Sequence, residues 1–114
     1  MLYGCVCAAL DKKAEDVVIL DLRGLSDVAD FFIVCHGNSQ TQVRAISEGV
    51  EMALRNQGVR HYNVEGREAC SWVLMDFHDV VVHVFHGTTR AYYALEKLWS
   101  DARSLDAGEI LAWG

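Results

Sequence analysis

Four short apolar runs constrain the fold of this 114-residue chain more than any other feature. They span residues 16–23, 31–37, 71–77 and 80–85, and β-branched or aromatic residues are frequent in them. Runs of this length and composition are typical of buried β-strands rather than of helices. The central runs are apolar at both alternating positions, so both sheet faces should be covered, or one face should be kept for a partner.

A strong helical signal separates the second run from the third. Ser39 followed by Gln42 fits a capping box, in which each side chain satisfies the free backbone N–H of the other residue. Gly58 stands where the C-terminal cap of this helix is expected. The apolar stripe between them, at spacings of three and four, consists of Val43, Ile46, Val50 and Leu54.

Two more helices and an edge strand complete the predicted elements. Residues 3–14 are expected to be helical, and residues 60–66 to form a short edge strand. Thr88 or Thr89 can cap a further helix after the last apolar run. The predicted apolar stripe of that helix is Tyr92, Leu95, Leu98 and Trp99.

Strands that alternate with crossover helices predict an α/β fold with a single mixed β-sheet of about five strands packed with helices. We expect one domain over residues 1–102. The remaining residues, 103–114, follow a helix stop and are expected to form a loosely held C-terminal tail.

Charge and hydropathy narrow the class of partner. The formal net charge is −6, whereas proteins that bind nucleic acid do so largely by neutralising phosphates with Lys and Arg. A basic partner is therefore favoured over RNA or DNA. No apolar run is long enough to span a membrane, and the apolar start lacks the basic region of a signal peptide.

Four cysteines are too irregularly spaced for a structural zinc site, which normally shows two close ligand pairs. Reduced, partly buried thiols are expected instead, and reduced thiols indicate a cytosolic protein. The four residues are Cys5, Cys7, Cys35 and Cys70.

The stretch "MDFHDVVVHVFH" carries acids and histidines that invite a metal interpretation. His83 and His86 differ by three positions, so in a strand they face opposite ways. Asp79 and His83 share a face, but roughly 13 Å of extended strand separates them. A metal site is disfavoured, and the alternative is a hydrogen-bonded histidine in the sheet with acids at a turn.

The stretch "CHGNSQTQ" leads from a strand into a helix, where backbone N–H groups can attract phosphate. A nucleotidyltransferase would also need two closely spaced acids to hold Mg²⁺. Asp76 and Asp79 are separated by two residues, which would place them on opposite faces of a regular strand. This spacing disfavours an enzyme, and a loop with a helix cap remains the simpler interpretation.

Trp72 shares a predicted strand face with Leu74 and Asp76. A strand tryptophan is usually a core residue, but Asp76 on the same face would be costly to bury unpaired. An aromatic residue beside a charge, with Asp79 at the following turn, suits an interface. Both interpretations of Trp72, core and interface, stay open at the level of sequence.

Three segments carry a family resemblance: "KKAEDVVILDLRGLSDVADFFIVCHGNSQTQVRAI", "VEGREACSWVLMDFHDVVVHVF" and "RAYYALEKLWSDA". They occur in this order and cover nearly all of residues 11–102. The combination of "VEG", Trp72 six residues after Gly66, "DVVVHV" and "YYALEKLW" is specific. In these segments the chain resembles the ribosomal silencing factor family, also called RsfS or Iojap.

The resemblance implies a mixed α/β fold related in shape to nucleotidyltransferases, without the catalytic acids, a metal site or a cofactor. It implies binding to a basic protein of the large ribosomal subunit, number fourteen, with little direct nucleic-acid contact. Such binding would block association of the two ribosomal subunits and repress translation in the cytoplasm. A homodimer is implied for the free protein.

The same resemblance supplies the expected partner-binding residues. The family's contact surface corresponds to Trp72, Asp76 and Asp79, with Tyr93 alongside. The alternative function, a diverged nucleotidyltransferase-like enzyme or nucleotide-binding protein, would instead use Asp76 or Asp79 for catalysis.

Overall fold

A single six-stranded sheet organises the chain in a computed structural model that describes residues 1–87, 89–90 and 94–113. The spatial order is β3-β4-β5-β2-β1-β6. β2 and β5 pair in parallel, and the other neighbouring strands pair antiparallel. The strands are β1 (Glu15–Asp21), β2 (Phe31–Gly37), β3 (Asn63–Glu65), β4 (Trp72–Asp76), β5 (Val80–His86) and β6 (Arg103–Asp106). The predicted mixed α/β sheet is confirmed, with six strands instead of about five.

Helices cover the two faces of the sheet unequally. Helices α1 (Leu2–Asp11), α2 (Gln40–Asn56) and α4 (Ala107–Leu111) contribute to one apolar cluster on the first face. The second face carries a smaller cluster, to which the short helix α3 (Leu95–Leu98) adds Leu95. None of the helices in the described residues has the length and apolar character needed to cross a membrane.

The start of α2 is capped as the sequence predicts, with one change of partner. The Ser39 hydroxyl oxygen accepts from the Gln42 backbone N–H at 3.0 Å. The Gln42 side-chain oxygen accepts from the N–H of Asn38 at 2.8 Å, one residue earlier than a capping box requires. The Gln42 amide also donates to the Lys13 carbonyl at 2.9 Å, which ties the start of α2 to the turn after α1.

Residues 103–111 are more ordered than the sequence suggested. Instead of a loosely held tail, β6 pairs antiparallel with β1 and closes that edge of the sheet. Leu105 and Ile110 are buried in the core of the first face. The Asp106 carboxylate accepts from the Glu109 N–H at 2.9 Å and caps α4. This segment is held by tertiary burial, which its mixed, charged sequence does not reveal.

The helix predicted after β5 is also different where the structure describes it. Leu95 is buried and the Trp99 ring lies 5.8 Å from that of Phe32, but Leu98 is 72% exposed and does not belong to the apolar stripe. Ala94 has a left-handed backbone with φ of 47°, and α3 begins directly after it. Thr88 and Tyr92 lie outside the described residues.

Ile110→Ala tests whether α4 is part of the core. Ile110 is fully buried, so the truncation should lower the free energy of unfolding by about 2–5 kcal/mol. Leu111→Ala is the matched control on the same helix, because Leu111 is 38% exposed and should cost much less. Urea unfolding measures both variants, and equal small losses would mean that α4 does not pack on the fold.

Candidate functional site

The loop before β4 closes tightly because residue 66 is glycine. Gly66 has a φ of +86°, a conformation that L side chains rarely adopt. A Cβ atom at this position would also collide with the carbonyl oxygen of Trp72. The glycine of the "VEG" segment therefore permits the close approach that places Trp72 at the start of β4.

A polar network fixes the same loop to α2. The Arg67 guanidinium pairs with Glu51 at 2.7 Å and donates from Nε to the Ser47 hydroxyl at 3.1 Å. The Tyr62 hydroxyl donates to the second Glu51 oxygen at 2.5 Å. These contacts tie Tyr62, just before β3, and Arg67, in the loop before β4, to the side of α2.

Alternate residues of β4 face opposite sides of the sheet, as the sequence predicts. Val73 and Met75 are buried in the core of the first face, where α2 packs against β4. Trp72, Leu74 and Asp76 are all half-buried on the second face. We call this second side of β4 the β4 face. Two large side chains, Trp72 and Leu74, remain partly exposed on it.

Trp72 is half-buried. Its ring stacks on that of Phe85, with centroids 5.1 Å apart and planes inclined by 28°. The indole N–H donates to Nδ1 of His83 at 3.1 Å. Trp72 is thus neither a fully buried core residue nor a free surface residue, and a partly exposed ring of this kind can serve as an anchor for a partner.

His83 lies behind this tryptophan and is 3% exposed. Burial lowers the pKa of His83 to about 4, so the imidazole is neutral at physiological pH. Its Nδ1 accepts from Trp72, which leaves it engaged within the sheet. In the described part of the chain, no three His, Cys, Asp or Glu side chains are arranged to hold a metal ion.

Asp76 and Asp79 come together, contrary to the strand-based expectation. β4 ends at Asp76, and the following turn passes through His78 with a φ of 75°. The Asp76 carboxylate accepts from the His78 N–H at 2.8 Å. The chain therefore leaves strand geometry before Asp79, and both carboxylates line one polar depression.

The β1–β2 loop forms the other wall of that depression and adds Asp27 and Asp30. The N–H groups of Asp30 and Phe31 donate to the Asp79 carbonyl at 2.8 and 3.1 Å, which joins the loop to the β4–β5 turn. The sequence of this loop, "GLSDVAD", gives no sign that its acids meet those of the β4–β5 turn. Its acids become relevant only through the parallel pairing of β2 with β5, which brings the two strand starts together.

The four carboxylates of the depression have no salt bridge within the part of the chain that the structure describes. Arg23 also lines the depression, but it pairs with Asp21 at 2.8 Å. Hydrogen bonding from Arg23 lowers the pKa of Asp21. Leu25 and Val28 of the same loop are exposed. The result is a negative surface with apolar side chains beside it.

The structure separates the parts that a nucleotide site would need. The start of α2 follows Gly37, which pairs with His86 at one end of the parallel β2–β5 pair. Asp76 and Asp79 lie at the other end, where Phe31 pairs with Val80. Six residue steps along a strand correspond to roughly 20 Å. The acids and the candidate phosphate loop are therefore too far apart to act on one nucleotide phosphate.

Three of the four predicted partner-binding residues can be located. Trp72 and Asp76 share the β4 face, and Asp79 lies beside Asp76 in the depression. Tyr93, the fourth, lies outside the described residues. The cysteines are free, with Cys7 half-buried and three others buried, and burial raises the pKa of Cys5 and Cys35 to about 12.

Comparison with known proteins identifies a family. The sequence model of the family described as "Ribosomal silencing factor during starvation" matches residues 1–112. A ribosomal silencing factor RsfS from Halalkalibacterium halodurans is 48% identical over 98% of this chain and 96% of its own length. The protein of the same name from Bacillus subtilis is 50% identical over 84% of this chain and 81% of its own length.

A solved structure has a closely similar fold. A crystal structure of a protein from Bacillus halodurans shares 48% sequence identity and superposes with a TM-score of 0.82. The match covers 92% of this chain and 95% of that chain.

The buried His83 should make stability depend on pH. The ordinary histidine pKa is 6.5 and the folded value is about 4, so between these pH values the unfolded chain binds a proton that the folded chain does not. The free energy of unfolding should therefore fall by up to about 3 kcal/mol as the pH falls through this window. Above the window, where His83 is neutral in both states, the full stability is present.

Urea unfolding at several pH values checks this dependence. His83→Asn is the comparison, because it keeps the same carboxylates but cannot titrate in the window. Wild-type stability should decline more steeply between neutral pH and pH 4 than that of the variant. Parallel curves would contradict the assignment of a depressed pKa to His83.

Proposed function

The chain belongs to the ribosomal silencing factor family, and we propose that it represses translation by binding the large ribosomal subunit and sterically blocking its association with the small subunit. The proposed contact is a basic ribosomal protein, number fourteen, and nucleic acid takes little part. The protein acts in the cytoplasm and forms a homodimer when it is free. Repression then requires occupancy of a surface and no chemical reaction.

The β4 face is the observation that carries this proposal. It combines a partly exposed aromatic ring, Trp72, with an aliphatic side chain, Leu74, and a carboxylate, Asp76. Aromatic residues near the centre of an interface commonly supply much of the binding energy. The Phe85 ring and His83 hold Trp72 from behind, so binding would not have to order a mobile side chain.

Charge supports a basic protein as the partner. The depression beside the β4 face holds the carboxylates of Asp27, Asp30, Asp76 and Asp79, which lack a salt bridge among the described residues. Lys or Arg side chains of a partner would neutralise them, whereas phosphates would be repelled. Exposed pairs of this kind are screened by salt, so the charges direct the encounter while the apolar contact sustains the complex.

Size supports a steric mode of action. The molecule measures 35 × 34 × 25 Å along its principal axes. A body of these dimensions, bound at the intersubunit side of the large subunit, occupies space that the small subunit needs. No movement within the protein is required, because its bulk alone prevents the two subunits from meeting.

The enzymatic alternative is less well supported. A nucleotidyltransferase needs acids beside the phosphate-binding turn, and here Asp76 and Asp79 lie at the opposite end of the β2–β5 pair from the start of α2. The N–H groups of Asn38 and Gln42 at that helix start already bond to side chains of the same turn. We therefore assign the acids to partner binding.

Sedimentation with purified subunits tests the proposed function. The wild-type protein should co-sediment with large subunits in a sucrose gradient, and not with small subunits or with coupled ribosomes. Trp72→Ala should weaken binding to large subunits roughly thirtyfold, the effect of losing a buried aromatic anchor. Trp113→Ala is the matched control, because Trp113 is 61% exposed near the end of α4 and should leave binding unchanged.

A thermal unfolding curve of each variant separates binding from folding. If Trp72 were chiefly a core residue, its truncation would cost about 3–5 kcal/mol of stability. A folded Trp72→Ala protein that still binds large subunits with wild-type affinity would remove the β4 face from the proposal. Wild-type protein found mainly on small subunits or on coupled ribosomes would contradict the function itself.

A further inference from the structure

We propose that His83 is a positioning residue for partner binding, which holds the Trp72 indole through its Nδ1 atom in the orientation that the partner meets. The inference rests on the proposed function, because it takes Trp72 as the anchor. His83 is buried and would not touch the partner itself, but it would act in recognition through Trp72.

The register of the sheet creates this contact. β4 and β5 pair antiparallel, with Trp72 opposite Phe85 and Leu74 opposite His83. The imidazole is therefore the diagonal neighbour of Trp72 on the same face, within reach of a long aromatic side chain. The two rings lie 5.9 Å apart, and the indole N–H meets Nδ1 at 3.1 Å.

The protonation state of His83 follows from this bond. Nδ1 accepts a hydrogen bond, so the proton of the neutral imidazole resides on Nε2. Protonation of Nδ1 would convert the acceptor into a donor and abolish the contact with Trp72. Because burial keeps the pKa of His83 near 4, the acceptor is maintained throughout the physiological range.

The other imidazole nitrogen gives the second reason for the assignment. Nε2 of His83 is buried and has no hydrogen-bond partner among the described residues. An unpaired buried donor costs free energy, and an aliphatic residue in β5 would avoid that cost. Apolar side chains fill the neighbouring core positions, Val82 and Val84. The acceptor at Nδ1 is the feature of this imidazole that an aliphatic residue could not supply.

Surrounding rings keep the imidazole itself in place. The Phe32 ring meets it edge-on, with centroids 4.6 Å apart, and the Phe85 ring lies 6.4 Å away in a nearly parallel orientation. Phe85 also stacks on Trp72. The contacts of the anchor within the described residues include a stacking contact and a directional hydrogen bond, and the hydrogen bond favours one orientation of the indole. An anchor that is already oriented loses less entropy on binding.

Two substitutions at position 83 separate this role from simple packing. His83→Asn removes the ring but retains an acceptor oxygen near the position of Nδ1, whereas His83→Leu removes the ring and the acceptor together. Affinity for purified large subunits should fall roughly three- to tenfold in His83→Leu, the effect of one lost hydrogen bond, and should recover in His83→Asn.

The same pair in a Trp72→Phe background completes a double-mutant cycle. Phenylalanine keeps an aromatic anchor but has no N–H to donate. The difference in affinity between Leu and Asn at position 83 should therefore disappear in this background. A difference of the same size in both backgrounds would overturn the inference, because it would show that position 83 acts independently of the indole.

The proposed function and this inference fail in different ways. If Trp72→Ala binds like wild type, the anchor itself is wrong. If Trp72→Ala binds weakly and His83→Leu binds like wild type, the anchor stands and the role of His83 is wrong.

Wild-type protein provides a test that does not depend on how any variant folds. Proton exchange of the indole N–H groups can be followed by NMR for Trp72 and Trp113. The Trp72 N–H should exchange much more slowly than that of Trp113, which is 61% exposed. Equal exchange rates would show that the His83 hydrogen bond does not hold the ring, and would overturn the inference.

Discussion

The burial of β5 is the constraint on which the rest of the structure depends. Every side chain from Val80 to Phe85 is buried, so this strand needs cover on both faces and a neighbour on both edges. β2 pairs with it in parallel and β4 in antiparallel orientation. The parallel pair requires the crossover through α2, and the antiparallel pair determines which β4 residues reach the second face.

That arrangement explains why polar residues occur within so apolar a stretch. Asp76 ends its strand, Asp79 belongs to the turn, and His83 faces the back of Trp72. Their positions give the carboxylates access to solvent and give the histidine a hydrogen-bond partner. None of these placements requires a reaction to explain it. They fit a recognition surface built on a rigid sheet, in keeping with the family to which the chain belongs.

Much of the fold could be predicted because it is encoded locally. The apolar strand runs and the Ser39 cap of α2 are both specified by residues that are close together in sequence. β6 was missed because its four residues include one apolar side chain, Leu105, and its strand conformation comes from pairing with β1. Burial of Ile110 in α4 is likewise a tertiary effect.

The candidate site was predictable only in part, for a similar reason. Alternation along β4 placed Trp72, Leu74 and Asp76 on one face without any structural information. The contact between Trp72 and His83 depends on the register between two strands, which periodicity within each strand does not specify. The turn at Asp79 was predicted, but its backbone shape was not: the positive φ of His78 brings Asp79 beside Asp76, which alternation along a strand does not specify.

Hydroxyl-radical footprinting of the protein, free and bound to large ribosomal subunits, tests the central claim most directly. It reports the solvent access of individual side chains, and Trp72, Met52 and Trp113 are all reactive residue types. Met52 lies exposed on α2, which packs on the opposite face of the sheet, and Trp113 follows α4. Binding should protect Trp72 and leave Met52 and Trp113 as reactive as in the free protein. Protection of Met52 or Trp113 with Trp72 unchanged would contradict the assignment of the β4 face as the contact surface.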